Sequence, residues 1–273
     1  PRQVELGLRP ERASVDTDAL AHPDDFEIVR SALAELGWHK RVPDTSPHVL
    51  PFHSVALAHE GWPCEIDLHH HFPGFFADDA AAFEALWRRR RGHLVAGREV
   101  AVCDLAGDTL IAALHAARAP VQKHGDMEFL IESVRGRFSP ADLHDLATLA
   151  AETGSADTLR TFLDAVGAPQ FGAGATGADH LAAWSLLTTS EQIRGIGWVD
   201  ALRHAPWRER LGLLKRAVFL SEAELRDQYP QAPAGAWGLL RAHVWRWRAT
   251  ASHLPKAIKA QRTSRARGAG IDR

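Results

Sequence analysis

The strongest constraint on this chain is the alternation in Cys64-Glu65-Ile66-Asp67-Leu68-His69, where apolar and polar residues exchange at every step. Only an extended strand with one buried and one polar face satisfies a period of two. A second run over 48–59 alternates despite Pro51, and Gly61-Trp62-Pro63 then turns the chain, so the two runs read as a hairpin. A third strand-like stretch, Asp16-Thr17-Asp18-Ala19-Leu20, carries two carboxylates one residue apart. In an extended strand both point to the same face. Like charges held that close repel unless a cation lies between them. The usual occupant is a hard divalent ion such as Mg²⁺, bound through one or two carboxylates and substrate phosphates. If the two strands are neighbours, Asp67 joins Asp16 and Asp18. A competing chemistry comes from His69-His70-His71, in which His69 and His71 share a face and with Asp67 suit a zinc or iron site. That run has neither a His-x-x-x-His spacing nor a CxxC pair.

Between these strands, His22-Pro23-Asp24-Asp25 supplies turn and N-cap chemistry, and Phe26, Val29, Leu33 and Leu36 recur at helical spacing until Gly37. Residues 77–91 read as a helix capped near Asp78 or Asp79 and ending in Arg88-Arg89-Arg90-Arg91, a solvated end favoured by the helix dipole or else a phosphate contact. Glu99 to Leu105 reads as a last strand, and Asp108 as the cap of a helix Thr109–Ala119 whose His115 is expected to pack in the core. Segments near 122–135, 140–153 and 155–166 are helical by spacing, with Ser139-Pro140 and Ser155 as starts. The glycine-rich 167–178 has no phosphate-loop pattern. The tryptophans beyond residue 180 are expected mostly in the core. In Trp245-Arg246-Trp247-Arg248, packed rings with exposed arginines compete with base stacking.

Lys plus Arg number 32 against 34 Asp plus Glu in 273 residues, so no global charge commits the chain to nucleic acid or an anionic membrane. No apolar run reaches the roughly 18 residues of a membrane span, and no signal peptide is visible. Cys64 and Cys103 sit in apolar runs and read as free thiols of a cytoplasmic protein.

Taken together, Leu8-Arg9-Pro10, Ser14-Val15-Asp16-Thr17-Asp18-Ala19-Leu20, Leu33-Ala34-Glu35-Leu36-Gly37-Trp38 and Glu65-Ile66-Asp67-Leu68-His69 resemble the uncharacterised bacterial nucleotidyltransferase family of the DNA polymerase β-like superfamily. The resemblance continues through Asp108 to His115, Asp126, and Phe219-Leu220-Ser221-Glu222 onward to Tyr229-Pro230, covering most of the chain. It implies that Asp16, Asp18 and Asp67, the last on an adjacent antiparallel strand, hold Mg²⁺ or Mn²⁺ and act catalytically, with Arg12, Ser14 and His69 touching substrate. It implies a transfer of an NMP from a nucleoside triphosphate to a hydroxyl of a small-molecule or protein acceptor, the end of an RNA such as a tRNA being the alternative. The superfamily's Gly-Ser or Lys-Gly turn ahead of the Asp pair has no counterpart, Leu6-Gly7-Leu8 standing there instead. From this comes a further alternative, a non-catalytic nucleotide- or partner-binding domain. A chain opening at Pro1 is expected to continue upstream, where such a turn would lie. The expected architecture is α+β: a small mixed sheet with flanking helices over residues 1–104, a helical region over 105–255 completing a cleft, and a basic tail over 256–273.

Overall fold

The computed structural model describes residues 2–11, 16–41, 53–118, 125–171, 177–189, 201–203, 205–229, 231–251 and 255. It divides into two compact units, Pro1–His39 with His53–Trp184, and Lys40–Phe52 with Ser185–Arg273. The class is α+β with a small mixed sheet, as expected. Strands do give way to helices near residue 104, but the compact first unit continues through that point to Trp184.

The first unit opens with a short helix α1 (Arg2–Glu5), then β1 (Asp16–Leu20), α2 (Phe26–Glu35), β2 (His39–Lys40), β3 (Ser54–Ala58) and β4 (Glu65–His69). These strands form one sheet in the order β1-β4-β3-β2. The predicted β3–β4 hairpin is present, with Ala56 opposite Asp67 and Ser54 opposite His69. The part of its first arm expected at 48–52 lies outside the described residues. β4 pairs with β1 in parallel, with Asp16 opposite Glu65, Asp18 opposite Asp67 and Leu20 opposite His69. The antiparallel neighbour implied by the family resemblance is therefore corrected. The chain leaves β1 through α2 to the far edge of the sheet, and the hairpin brings β4 back between β3 and β1, running with β1.

Alternation gives the sheet two unlike faces. Val55, Leu57 and Leu68, with Ala19 and Ile66, pack on Phe26, Val29 and Leu33 of α2 and on Trp38, and this is the core of the sheet. The opposite face carries Asp16, Asp18, Glu65, Asp67 and His69, and toward β3 only the small Ser54 and Ala56.

Beyond the sheet, α3 (Asp79–Arg88) is capped by Asp78, whose side chain accepts from the Ala80 and Ala81 amides. The helix stops earlier than expected, because Arg91–Val95 forms β5 and Arg98–Val102 forms β6, a separate two-stranded hairpin. Its turn has Ala96 at φ 49° and Gly97 at φ 78°, the two left-handed residues that a tight hairpin requires. The four arginines are not one solvated cluster. Arg88 faces Glu152 at 3.6 Å, Arg89 donates to Asp104 at 2.9 Å, and Arg90 lies 4.0 Å over the Trp87 ring.

Next comes α4 (Leu105–Arg118), buried on nearly every side through Leu110, Ile111, Ala113 and Leu114, the pattern of a central helix. Its start is one turn earlier than predicted: Asp104 accepts the Gly107 amide at 2.9 Å, while Asp108 is taken by Arg2 at 2.7 Å, tying α1 to α4. Around it pack α5 (Asp126–Arg137) and α6 (Pro140–Glu152), with α7 (Arg160–Val166) against α5. The Ser139 start is a full capping box with Asp142.

Next in the chain is α8 (Ala178–Thr189), and the second unit holds α9 (Trp207–Val218), α10 (Glu222–Gln228) and α11, residues 236–251. Its core holds Leu220, Leu225 and Ala242. The expectation of core tryptophans holds for Trp184 of the first unit, but Trp207 and Trp237 are exposed. Trp198 lies outside the described residues. Arg246, expected outside, is buried and donates to the carbonyls of Val218 at 3.1 Å and of Ala217, because the end of α9 leaves those oxygens without helical partners. The basic tail 256–273 is outside the described residues. Among the described residues, no helix is long and apolar enough to cross a membrane.

Candidate metal centre

Register alone sets two of the acids side by side. Asp18 and Asp67 are directly paired on neighbouring strands, so their side chains leave the same face at adjacent positions. His69, two residues further along β4, returns to that face, and its Nε2 lies 2.9 Å from Asp18 Oδ1. One ligand atom from each of Asp18, Asp67 and His69 lies within 4.8 Å of the others, close enough to share an ion. Asp16 stands on the same face at the exposed start of β1, opposite Glu65, and is not a member of that group. Arg12 and Ser14 lie outside the described residues.

His69 is held rigidly. It is only 3% exposed, the Phe72 ring stacks on it at 4.7 Å, and His53 lies 5.9 Å away. Its Nδ1 is enclosed without a hydrogen-bond partner, so Nε2 is the atom it offers. The neighbouring histidines go elsewhere. His71 Nδ1 meets Asp79 at 2.8 Å and His70 Nδ1 meets the other oxygen of Asp79 at 3.2 Å, both drawn to the start of α3. The competing site of Asp67, His69 and His71 is thereby split, since strand alternation ends at His69 and the chain bends away.

The two carboxyls differ in proton affinity. Burial pushes Asp67 up, and the nearby Asp18, Asp16 and Glu65 push it further, against the pull of His69. Burial also opposes ionisation of Asp18, but the hydrogen bond with His69 and the charges of His115, His69 and Arg118 outweigh it and leave Asp18 below the ordinary carboxylate range. Asp67 thus lacks the compensation that Asp18 has. Two carboxylates and one imidazole suit a divalent cation, and the imidazole nitrogen makes Mn²⁺ or a transition ion a better match than Mg²⁺, which favours oxygen.

Two contributors come from α4. His115 lies 6.4 Å from Phe72, ring to ring, and its charge acts on Asp18. Arg118, at the last turn, acts on both Asp18 and Asp67. Sequence reading left His115 as a core residue and passed over Arg118, because nothing local marks a helix end that arrives beside a strand face some fifty residues upstream. Arg118 lies outside the motifs quoted from the sequence, and its place beside the sheet is visible only through the fold.

No family model, no curated protein and no solved structure matches the chain.

Proposed function

We propose that the chain is a metal-dependent nucleotidyltransferase of the DNA polymerase β-like kind, with Asp18, Asp67 and His69 as its cation-binding group and Asp16 beside them. The observation that carries the reading is the pairing of Asp18 with Asp67, which brings a carboxylate from each strand and the His69 imidazole within 4.8 Å. A bound divalent cation would supply charge stabilisation for the phosphate oxygens and polarise the acceptor hydroxyl. Asp18, held below the ordinary carboxylate range with the help of its hydrogen bond to His69, would be the permanent ligand of such a cation. Asp67 has the higher proton affinity of the two and is the better general base. In the transfer, the acceptor oxygen bonds to the α-phosphorus, the bond to the pyrophosphate oxygen breaks, and the hydroxyl proton passes to Asp67. On the β3 side of this face stand only the small Ser54 and Ala56.

A small-molecule or protein hydroxyl is the favoured acceptor. Arg89 and Arg246 are engaged within the protein and Arg88 faces Glu152, so these three offer little to an RNA backbone. The test is transfer of label from a nucleoside triphosphate in the presence of Mn²⁺ or Mg²⁺ and fractionated extract. Asp18→Asn is expected to lose both Mn²⁺ binding, read by electron paramagnetic resonance, and label transfer by at least about 100-fold. Transfer at the wild-type rate in that variant rules the assignment out, and stoichiometric zinc or iron in the purified protein favours the histidine-metal alternative.

A further inference from the structure

Several arginines of the first unit find oxygen partners. Arg2 reaches Asp108 and the Cys103 carbonyl, Arg89 reaches Asp104, Arg135 reaches the Ala165 carbonyl, and Arg160 reaches Asp157. Arg118 does not. Among the described residues it makes no hydrogen bond and no ion pair, and its Nε is enclosed without a partner. An enclosed N–H left unmatched costs about 1–3 kcal/mol, more for a charged group, so the position needs a reason.

Its location supplies one. Arg118 and His115 are three residues apart on α4 and share a side of the helix. His115 abuts Phe72, and Phe72 stacks on His69, so this end of α4 arrives at the polar face of the sheet. The guanidinium is near enough to Asp18 and Asp67 to interact with both charges, yet it stops short of contact with either. A guanidinium in that position repels a bare cation held by the same carboxylates. The arrangement becomes favourable when an anion lies between them, bound by the cation on one part and by the guanidinium on another. The planar fork of arginine matches phosphate oxygens, and charge-assisted bonds of this kind are the strong ones.

We propose that Arg118 is the phosphate-binding residue of this site, donating from its guanidinium to oxygens of the triphosphate, and of the departing pyrophosphate, whose cation Asp18, Asp67 and His69 hold. The inference rests on the cation reading above and adds a residue that holds the phosphates of its substrate.

The experiment uses the full chain with two probes, Mn²⁺ alone and inorganic pyrophosphate at saturating Mn²⁺, measured by electron paramagnetic resonance and titration calorimetry. Arg118→Gln is expected to bind Mn²⁺ as tightly as wild type or several-fold tighter, because a repelling charge is gone. Its pyrophosphate affinity is expected to fall by about 10- to 100-fold, the loss of a charge-assisted hydrogen bond. Arg118→Lys keeps the charge and is expected to fall between. Pyrophosphate affinity within about two-fold of wild type, in an Arg118→Gln protein that still binds Mn²⁺, overturns the inference and leaves the cation reading standing. Parallel weakening of both probes with a lowered melting temperature assigns Arg118 a structural role and overturns it as well. Wild-type protein that takes up no Mn²⁺ overturns the cation reading itself, and this inference with it.

Discussion

Asp18 and Asp67 show how two identical side chains, paired across one ladder position, acquire different chemistry. Repulsion between the acids would have been relieved by neutralising either one on sequence grounds. The structure places the relief at Asp67, because there burial, with Asp18, Asp16 and Glu65, outweighs the pull of His69, whereas at Asp18 burial is outweighed by His69, His115 and Arg118. The sign follows. Asp67 holds its proton more tightly folded than unfolded, so its contribution favours folding at low pH and is lost as pH rises through its raised folded value. Asp67→Asn is therefore expected to stabilise the metal-free protein at pH 7. The gain is at most about 1 kcal/mol once screening of a half-buried carboxyl is allowed for. It is expected to vanish below about pH 4, where the wild-type carboxyl is itself protonated. Denaturant melts at the two pH values check this, and a loss of stability at pH 7 would contradict the account. Asp18→Asn has the opposite sign, losing stability that is present above the unfolded carboxyl value. Cys103 takes no part in the chemistry: burial, then Asp108 and Asp104, push its thiol up to about 12, and it stays protonated at neutral pH.

At the scale of elements, the junction between α6 and the approach to α3 is closely packed backbone against backbone. Gly154 follows α6 at φ 69°, and a Cβ there would stand 2.4 Å from the Ala77 nitrogen and 2.8 Å from the Phe76 carbonyl carbon. The same segment is bonded by the Ala77 amide to the Thr153 carbonyl at 3.2 Å, while Thr158 Oγ1 donates to the Gly74 carbonyl at 2.8 Å. These bonds hold the 70–78 segment, and with it Phe72, under His69. Gly154→Ala is expected to cost more than about 2 kcal/mol, since both the left-handed backbone and the backbone clash must be absorbed. A fall in melting temperature with weakened Mn²⁺ binding, read on the same sample, would tie the junction to the site. An unchanged melting temperature would show that the segment yields without cost.

For the whole molecule, the first unit contains β1, β3, β4, α4 and every member of the candidate site, so ligand binding is coupled to the stability of that unit. A cation that binds only the folded state stabilises it by about 2.7 kcal/mol at one hundred times its dissociation constant. Thermal unfolding with Mn²⁺ is thus expected to shift upward in a concentration-dependent way and to return to baseline with chelator. The shift is expected to be absent in Asp18→Asn. A shift that survives in that variant would place the binding site elsewhere.

The sequence by itself determined the alternating strands, the β3–β4 hairpin and the helix start at Ser139, and it put Asp18, Asp67 and His69 each on the polar side of a strand without grouping the three, because each of these is a local pattern of polarity or capping chemistry. It also signalled α2, through apolar residues three and four apart. Local pattern did not distinguish a strand from a helix end at Arg91–Val95, where the run of arginines outweighed the short alternation that follows. It placed the cap at Asp108 when an arginine more than a hundred residues upstream claims that carboxylate. Strand direction, the pairing of Asp18 with Asp67, the diversion of His71 to Asp79, and the arrival of Arg118 were decided only by the tertiary structure. The physical reason is the same in each case. Periodicity reports which face of an element is buried, but which charges share a face with which depends on strand order and helix docking, and those are fixed by packing between segments far apart in the chain.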